Sequence, residues 1–234
     1  MHIEPTADAF AARYERGEAQ VVWTALVADL ETPVSAFLKI AGSRPMSFLF
    51  ESVEGGAVRG RYSVIGLDPD LVWRMNGTHA EINRAAQSTP AAFAPCPQPP
   101  LEALRALIAE SRIVLPEGLP PMAAGVFGYL GYDMVRLMEE LPTSHPDPIG
   151  IPDAVLIRPT LVVVFDAVKD SITVVTPVRV EAGVTAKAAR ARAEARLAEW
   201  SIHSTSRSTR RPQAVRPARW IFRPSPTPRR PNTG

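Results

Sequence analysis

The sequence is poor in cysteine and histidine. Its only cysteine, Cys96, excludes an internal disulfide, and its four histidines are dispersed without the spacing of zinc ligands. We therefore expect no metal site in this chain. A chain of 234 residues is long enough to bury a core without disulfides or metals. Because free thiols suit a reducing compartment, we expect a cytoplasmic protein.

Long apolar runs are also lacking. The longest run of large apolar residues, Leu161–Phe165, is far shorter than the roughly 20 residues that span a bilayer. The N-terminal residues carry His2, Glu4 and Asp8 and contain no apolar segment typical of a signal peptide. We expect neither secretion nor a membrane partner.

Acidic residues are absent from residues 201–234, which contain eight arginines and six prolines. Residues 1–200 carry 18 basic and 24 acidic residues, so the pI of about 8.9 is a property of the tail. We therefore expect no nucleic-acid partner, with a basic-tailed nucleic-acid binder as an alternative class. The composition of the tail predicts disorder. It is either a native tail or the product of a shifted reading frame.

Strand and helix signals alternate through residues 1–200. Thr32-Pro33 is typical of a helix start, Gly42 of a helix end, and Asn76-Gly77 of a hairpin turn. These signals predict an α+β fold, namely half of an antiparallel β-sandwich with peripheral helices. Strands are predicted at 21–27, 46–51, 62–65, 71–75, 79–83, 123–130, 154–157, 161–165 and 172–175, and helices at 33–41, 101–113, 132–141 and 182–200.

Three ordered stretches between about residues 10 and 200 resemble component I of anthranilate synthase. The inhibitor motif of that family is Leu-Leu-Glu-Ser, ten residues, then Ser. Here Leu49-Phe50-Glu51-Ser52 is followed by ten residues and Ser63, with Phe50 in place of the second leucine. The stretches TPVSAFLKI (32–40) and GVFGYLGYDMVRLMEEL (125–141) are similar to two further segments of the family.

The resemblance implies a regulatory domain over residues 1–200 and a tail over residues 201–234. In the family, a second domain binds chorismate, carries the acid/base residues and holds Mg²⁺. Nothing in this sequence is similar to that domain. We therefore expect no catalytic residues and no cofactor in this chain, and no conversion of chorismate to anthranilate by the chain alone. The glutaminase component II is the protein partner that the resemblance implies.

The resemblance also implies a site for L-tryptophan, the inhibitor of the family. At matching positions, Ser52 would hydrogen-bond the amino-acid part of tryptophan and Glu51 would lie near its ammonium group. The pocket would be lined by Leu49, Arg61, Tyr62 and Ser63. A zwitterion needs charged or hydroxyl partners and an indole ring needs an apolar wall, so these residue types suit the ligand.

Two other functions remain open from the sequence. Component I of aminodeoxychorismate synthase shares the fold and a similar tryptophan pocket. A non-catalytic module that binds an amino acid or a partner chain is the second alternative.

Overall fold

The computed structural model describes residues 2–28, 31–53, 59–142, 147 and 149–205. Its helices are α1 (Ala7–Glu15), α2 (Pro33–Ala41), α3 (Pro100–Ser111) and α4 (Ala186–Thr205), with one 3₁₀ helix at Tyr132–Leu137. Its strands are β1 (Gln20–Val27), β2 (Phe48–Val53), β3 (Arg59–Asn76), β4 (His79–Asn83), β5 (Ala94–Pro95), β6 (Phe127–Leu130), β7 (Ala154–Asp166) and β8 (Ser171–Val178).

These strands form one antiparallel sheet in the order β1-β8-β7-β3-β4-β5. β2 pairs with the first part of β3, and β6 pairs with the first part of β7. The long strands β3 and β7 are therefore the centre of the sheet, and each carries two shorter strands on its outer edge. An antiparallel sheet with helices packed outside it is the predicted α+β class, which is confirmed.

The two central strands are continuous, and the prediction that each is two short strands is wrong. Asp68 and Pro69 interrupt the apolar pattern of β3, which made the strand look broken. The structure absorbs them in a bulge, with Asp68 at φ 49° and a register shift against β7 between Pro69 and Leu71. A bulge tolerates proline because the ladder hydrogen bond is already lost there.

Local capping signals were predicted correctly at α2. Thr32 accepts a hydrogen bond from the backbone amide of Ser35, and the Ser35 hydroxyl accepts one from the amide of Thr32. Pro33 occupies the first turn, and Gly42 ends the helix at φ 52°. These reciprocal bonds satisfy amide groups that the helix itself leaves without a partner.

The segment 123–141 differs from its prediction. Only Phe127–Leu130 forms a strand, and the predicted helix at 132–141 is a short 3₁₀ helix. Gly128, at φ 154°, lies so close to β7 that a Cβ there would overlap the carbonyl oxygen of Val155. This close backbone approach explains the glycine, and it leaves too little regular pairing for a longer strand.

The core lies on both faces of the sheet. α1, α2 and α4 cover one face around Ile65, Val163 and Trp200, and residues 113–127 cover the other around Val64 and Val164. A third cluster under α3 contains the fully buried Trp73. Among the described residues, no helix has the length and apolar character needed to cross a membrane.

Candidate functional site

The predicted site lies where β2 pairs with β3. In this pairing Leu49 is opposite Ile65, Phe50 is opposite Val64, and Glu51 is opposite Ser63. Side chains alternate between the two faces of a strand, so Leu49, Glu51 and Ser63 share the face that α2 and α4 cover further along. Glu51 is exposed and Ser63 is half-buried. The end of this strand pair therefore offers one carboxylate and one hydroxyl on a common face.

Ser52 occupies an irregular position next to this pair. The pairing passes from Glu51 with Ser63 to Val53 with Arg59, so Ser52 is the one β2 residue opposite three β3 residues, 60–62. Its hydroxyl lies directly over Gly60, where a Cβ would overlap the Ser52 side chain and carbonyl oxygen. Since β2 itself has no extra residue here, the side chain of Ser52 lies on the face opposite that of Glu51. Gly60 thus explains how the exposed Ser52 fits against β3 at this point.

The structure does not place all six predicted residues in one pocket. Leu49 packs partly buried against the helix-covered core, and Tyr62 packs against the core on the opposite face of the sheet. Glu51 and Ser63 are brought together on one face, and Ser52 lies at the same strand end on the other face, against Gly60. Residues 54–58, which join β2 to β3, lie outside the described residues, as do residues 206–234 of the predicted tail.

Arg61 is held by an ion pair with Asp166 at the end of β7. Its Nε and Nη2 donate to the carboxylate at 3.1 Å and 2.8 Å, and its guanidinium lies 4.8 Å from the centre of the Tyr62 ring. The Asp166 carboxylate also accepts bonds from the amides of Val168 and Lys169, at 3.0 Å and 3.2 Å.

These partners shift both pKa values. The hydrogen bond from Arg61 is the main cause that lowers the pKa of Asp166, and burial opposes it. The same hydrogen bond raises the pKa of Arg61. Arg61 is therefore fixed to the protein, and its role at this strand end is to connect β3 to the β7–β8 turn.

Sequence reasoning missed Asp166. An aspartate at the start of a turn typically accepts bonds from backbone amides two or three residues on, and that signal was available. The hydrogen bond from Arg61 could not be predicted from the sequence, because Arg61 and Asp166 are separated by 105 positions.

The described residues do not fit a Mg²⁺ site. Nowhere in this part of the chain do three His, Cys, Asp or Glu residues come close enough together to hold a metal ion. Hard divalent cations need several oxygen ligands, usually carboxylates.

The chain is similar to proteins named anthranilate synthase component 1. It is 54% identical over 190 residues to that of Cereibacter sphaeroides, in a match that covers 81% of this chain and 38% of the relative. It is 39% identical over 153 residues to that of Thermus thermophilus, covering 65% of this chain and 31% of the relative. It is 37% identical over 172 residues to that of Synechocystis, covering 73% of this chain and 33% of the relative.

The chain thus spans between about a third and two fifths of the length of these relatives. No family model matches it. A crystal structure of anthranilate synthase component I from Streptococcus pneumoniae is similar with a TM-score of 0.46 and 21% identity, over 75% of this chain and 36% of that one.

Proposed function

This protein is a homologue of anthranilate synthase component I over four fifths of its length, and from that premise we propose that it is the N-terminal, tryptophan-sensing portion of such an enzyme. The observation that carries the proposal is the match to the Cereibacter relative, which is strong over this chain and covers only 38% of the relative. The chain alone is proposed to be inactive towards chorismate.

The chemistry of the full reaction supports the proposed inactivity. Converting chorismate and ammonia, or glutamine, to anthranilate removes a ring hydroxyl and the enolpyruvyl group. This is lyase chemistry that calls for Lewis-acid help and a general acid/base. The described residues contain no carboxylate cluster of the required kind. The proposal assigns these groups, and the Mg²⁺ that they would hold, to the part of the relatives that this chain does not span.

Tryptophan sensing is proposed for the group formed by Glu51, Ser52 and Ser63. The Glu51 carboxylate is exposed and suits an ammonium group, while the two hydroxyls suit a carboxylate. All three lie at one strand end, and Gly60 fixes the position of Ser52. Leu49 supports this group from the core, against which it packs. Arg61 forms its ion pair with Asp166 and holds β3 in register, and it does not bind the ligand.

The pocket is proposed to be incomplete in this chain. Glu51 and Ser52 are both exposed, whereas an amino-acid ligand is normally enclosed on most sides. The remaining walls would come from the part of the relatives that this chain does not span. Docking of the glutaminase component II is likewise proposed for the complete enzyme and not for this chain alone.

Aminodeoxychorismate synthase component I is the second candidate. The three relatives reported above all carry the name anthranilate synthase component 1, which favours the first candidate.

Calorimetric titration with L-tryptophan tests the sensing proposal. The chain alone is expected to give weak or no heat. A hybrid that joins this chain to the missing part of the Cereibacter relative is expected to bind tryptophan with measurable heat. Tight binding by the chain alone would instead indicate a stand-alone amino-acid sensor, and no binding by an active hybrid would contradict tryptophan sensing.

A further inference from the structure

A groove of about 340 Å³ lies on the sheet beside the turn that joins β7 to β8. It is closed on its other side by the turn at residues 117–120. The side chains that border it include Trp23, Tyr62, Leu119, Asp166, Lys169 and Thr173. Its volume is at the lower end of the range of ligand pockets, roughly 300–1,000 Å³, which indicates a small molecule.

The floor of the groove is made of small side chains. Ala25 on β1 is opposite Thr173 on β8. Ser171 lies two positions before Thr173, on the same face of β8. These residues leave space over the sheet that larger side chains would fill. The two hydroxyls give the floor hydrogen-bonding groups at the end next to the β7–β8 turn.

The charges around the groove are not equally available to a ligand. Asp166 is almost fully buried, and its carboxylate already accepts bonds from Arg61 and two backbone amides. Lys169 is exposed and makes no ion pair with any residue in the described part of the chain. Its ammonium group is thus the available cation at this end. The exposed Glu117 lies on the opposite turn.

The other end of the groove is apolar. Trp23 is half-buried on β1, and Leu119 and Pro120 face the groove from the 117–120 turn. A half-buried tryptophan offers a large flat surface that an apolar ring can cover. The groove therefore joins a cationic, hydroxyl-bearing end to an apolar end.

We propose that this groove binds a small monocarboxylic acid with an apolar ring, its carboxylate at Lys169 and Ser171 and its ring against Trp23 and Leu119. This site goes beyond the proposed function. Tyr62 is the single residue that it shares with the predicted tryptophan site, and Glu51, Ser52 and Ser63 do not line it.

The proposal is tested by titrating the full chain with 3-phenylpropionate and, as a neutral match, with 3-phenylpropan-1-ol. The indole N–H signal of Trp23 in ¹H–¹⁵N spectra reports binding, and a Trp23→Phe variant assigns it. The acid is expected to shift this signal in a saturable manner and the alcohol to shift it less. Equal shifts by the two compounds, or none by the acid, would overturn the proposal.

Three variants make the test specific. Lys169→Gln is expected to weaken binding of the acid about twofold to fivefold, the range for an exposed ion pair, whereas Lys187→Gln on the exposed face of α4 leaves it unchanged. Ala25→Phe fills the floor and is expected to abolish binding. Unaltered affinity in Lys169→Gln or Ala25→Phe would contradict the assignment.

Discussion

Arg61 and Asp166 join the first residues of β3 to the last residue of β7 by hydrogen bonds from two guanidinium nitrogens to one carboxylate. The same carboxylate accepts bonds from the amides of the β7–β8 turn, so a single buried aspartate fixes a strand end and a turn together. This position is next to the strand end that carries Glu51 and Ser52, because β3 pairs with both β2 and β7.

Asp166→Ala is expected to lower the free energy of unfolding by about 1–3 kcal/mol at pH 7, since it leaves two amides and Arg61 without their acceptor. The pKa of Asp166 is lowered in the folded protein. The Asp166 carboxylate therefore stabilises the fold fully above about pH 4, the pKa of an aspartate in the unfolded chain. This stabilisation is lost as the pH falls through the lower pKa that Asp166 has in the folded protein. Urea unfolding from pH 7 to pH 2 measures this.

The exposed Glu139 on the segment after the 3₁₀ helix provides the control. Glu139→Ala is expected to change stability by less than about 0.5 kcal/mol. A difference between wild type and Asp166→Ala that stays constant down to pH 2 would show that the carboxylate charge is not involved.

Ser52→Phe is expected to abolish tryptophan inhibition of the hybrid enzyme while leaving its activity with chorismate and ammonium unchanged. The bulky ring would occupy the exposed space over Gly60 where the ligand's amino-acid part is proposed to bind. Initial rates of anthranilate formation across a tryptophan series measure the effect. Ser88→Phe, at an exposed turn after β4, is the matched control and should remain inhibited. Undiminished inhibition in Ser52→Phe would remove this residue from the site.

Gly60→Ala is expected to destabilise the chain by about 1–3 kcal/mol, because the added methyl group would overlap Ser52. In a Ser52→Gly background the loss should be smaller, since the overlapping side chain is gone and only the carbonyl contact remains. A double-mutant cycle by urea unfolding gives the coupling between the two positions. The same loss in both backgrounds would mean that Ser52 does not rest on Gly60.

Signals between neighbouring residues predicted much of the fold. Contacts between distant residues could not be predicted from the sequence. The helix start at Thr32 and the turn at Asn76-Gly77 depend on neighbouring residues only, and both were predicted. The continuity of β3 through Asp68 and Pro69 depends on pairing with β7, about 90 residues away, so the sequence alone suggested a break.

The candidate site shows the same division. Resemblance identified Glu51, Ser52 and Ser63, and the strand register brings Glu51 and Ser63 together. It did not show that Arg61 is engaged with Asp166 or that Tyr62 packs on the opposite face. Those features depend on tertiary contacts that a motif does not contain.

Arg158 and Arg179 are expected to differ in their effect on stability. Arg158 binds Asp70 through two bonds of 2.8 Å and 3.0 Å, and its side chain is 12% exposed. Arg158→Met leaves Asp70 without that partner and is expected to cost about 2–4 kcal/mol.

Arg179 donates to the carbonyl of Ser111, but its buried Nε has no partner among the described residues. Burial lowers the pKa of Arg179 to about 10, so its charged form opposes folding at pH values below 10. Arg179→Met is therefore expected to change stability by less than about 1 kcal/mol. Urea unfolding at pH 7 measures both variants, and an equal loss in the two would contradict this account.

The most direct measurement is anthranilate fluorescence after the purified chain is mixed with chorismate, Mg²⁺ and ammonium. The account predicts no fluorescence above that of a protein-free control, and sustained formation of anthranilate by the hybrid with the missing part of the Cereibacter relative. Sustained formation by the 234-residue chain alone would contradict the proposal that sensing and chemistry lie in separate parts of the complete enzyme.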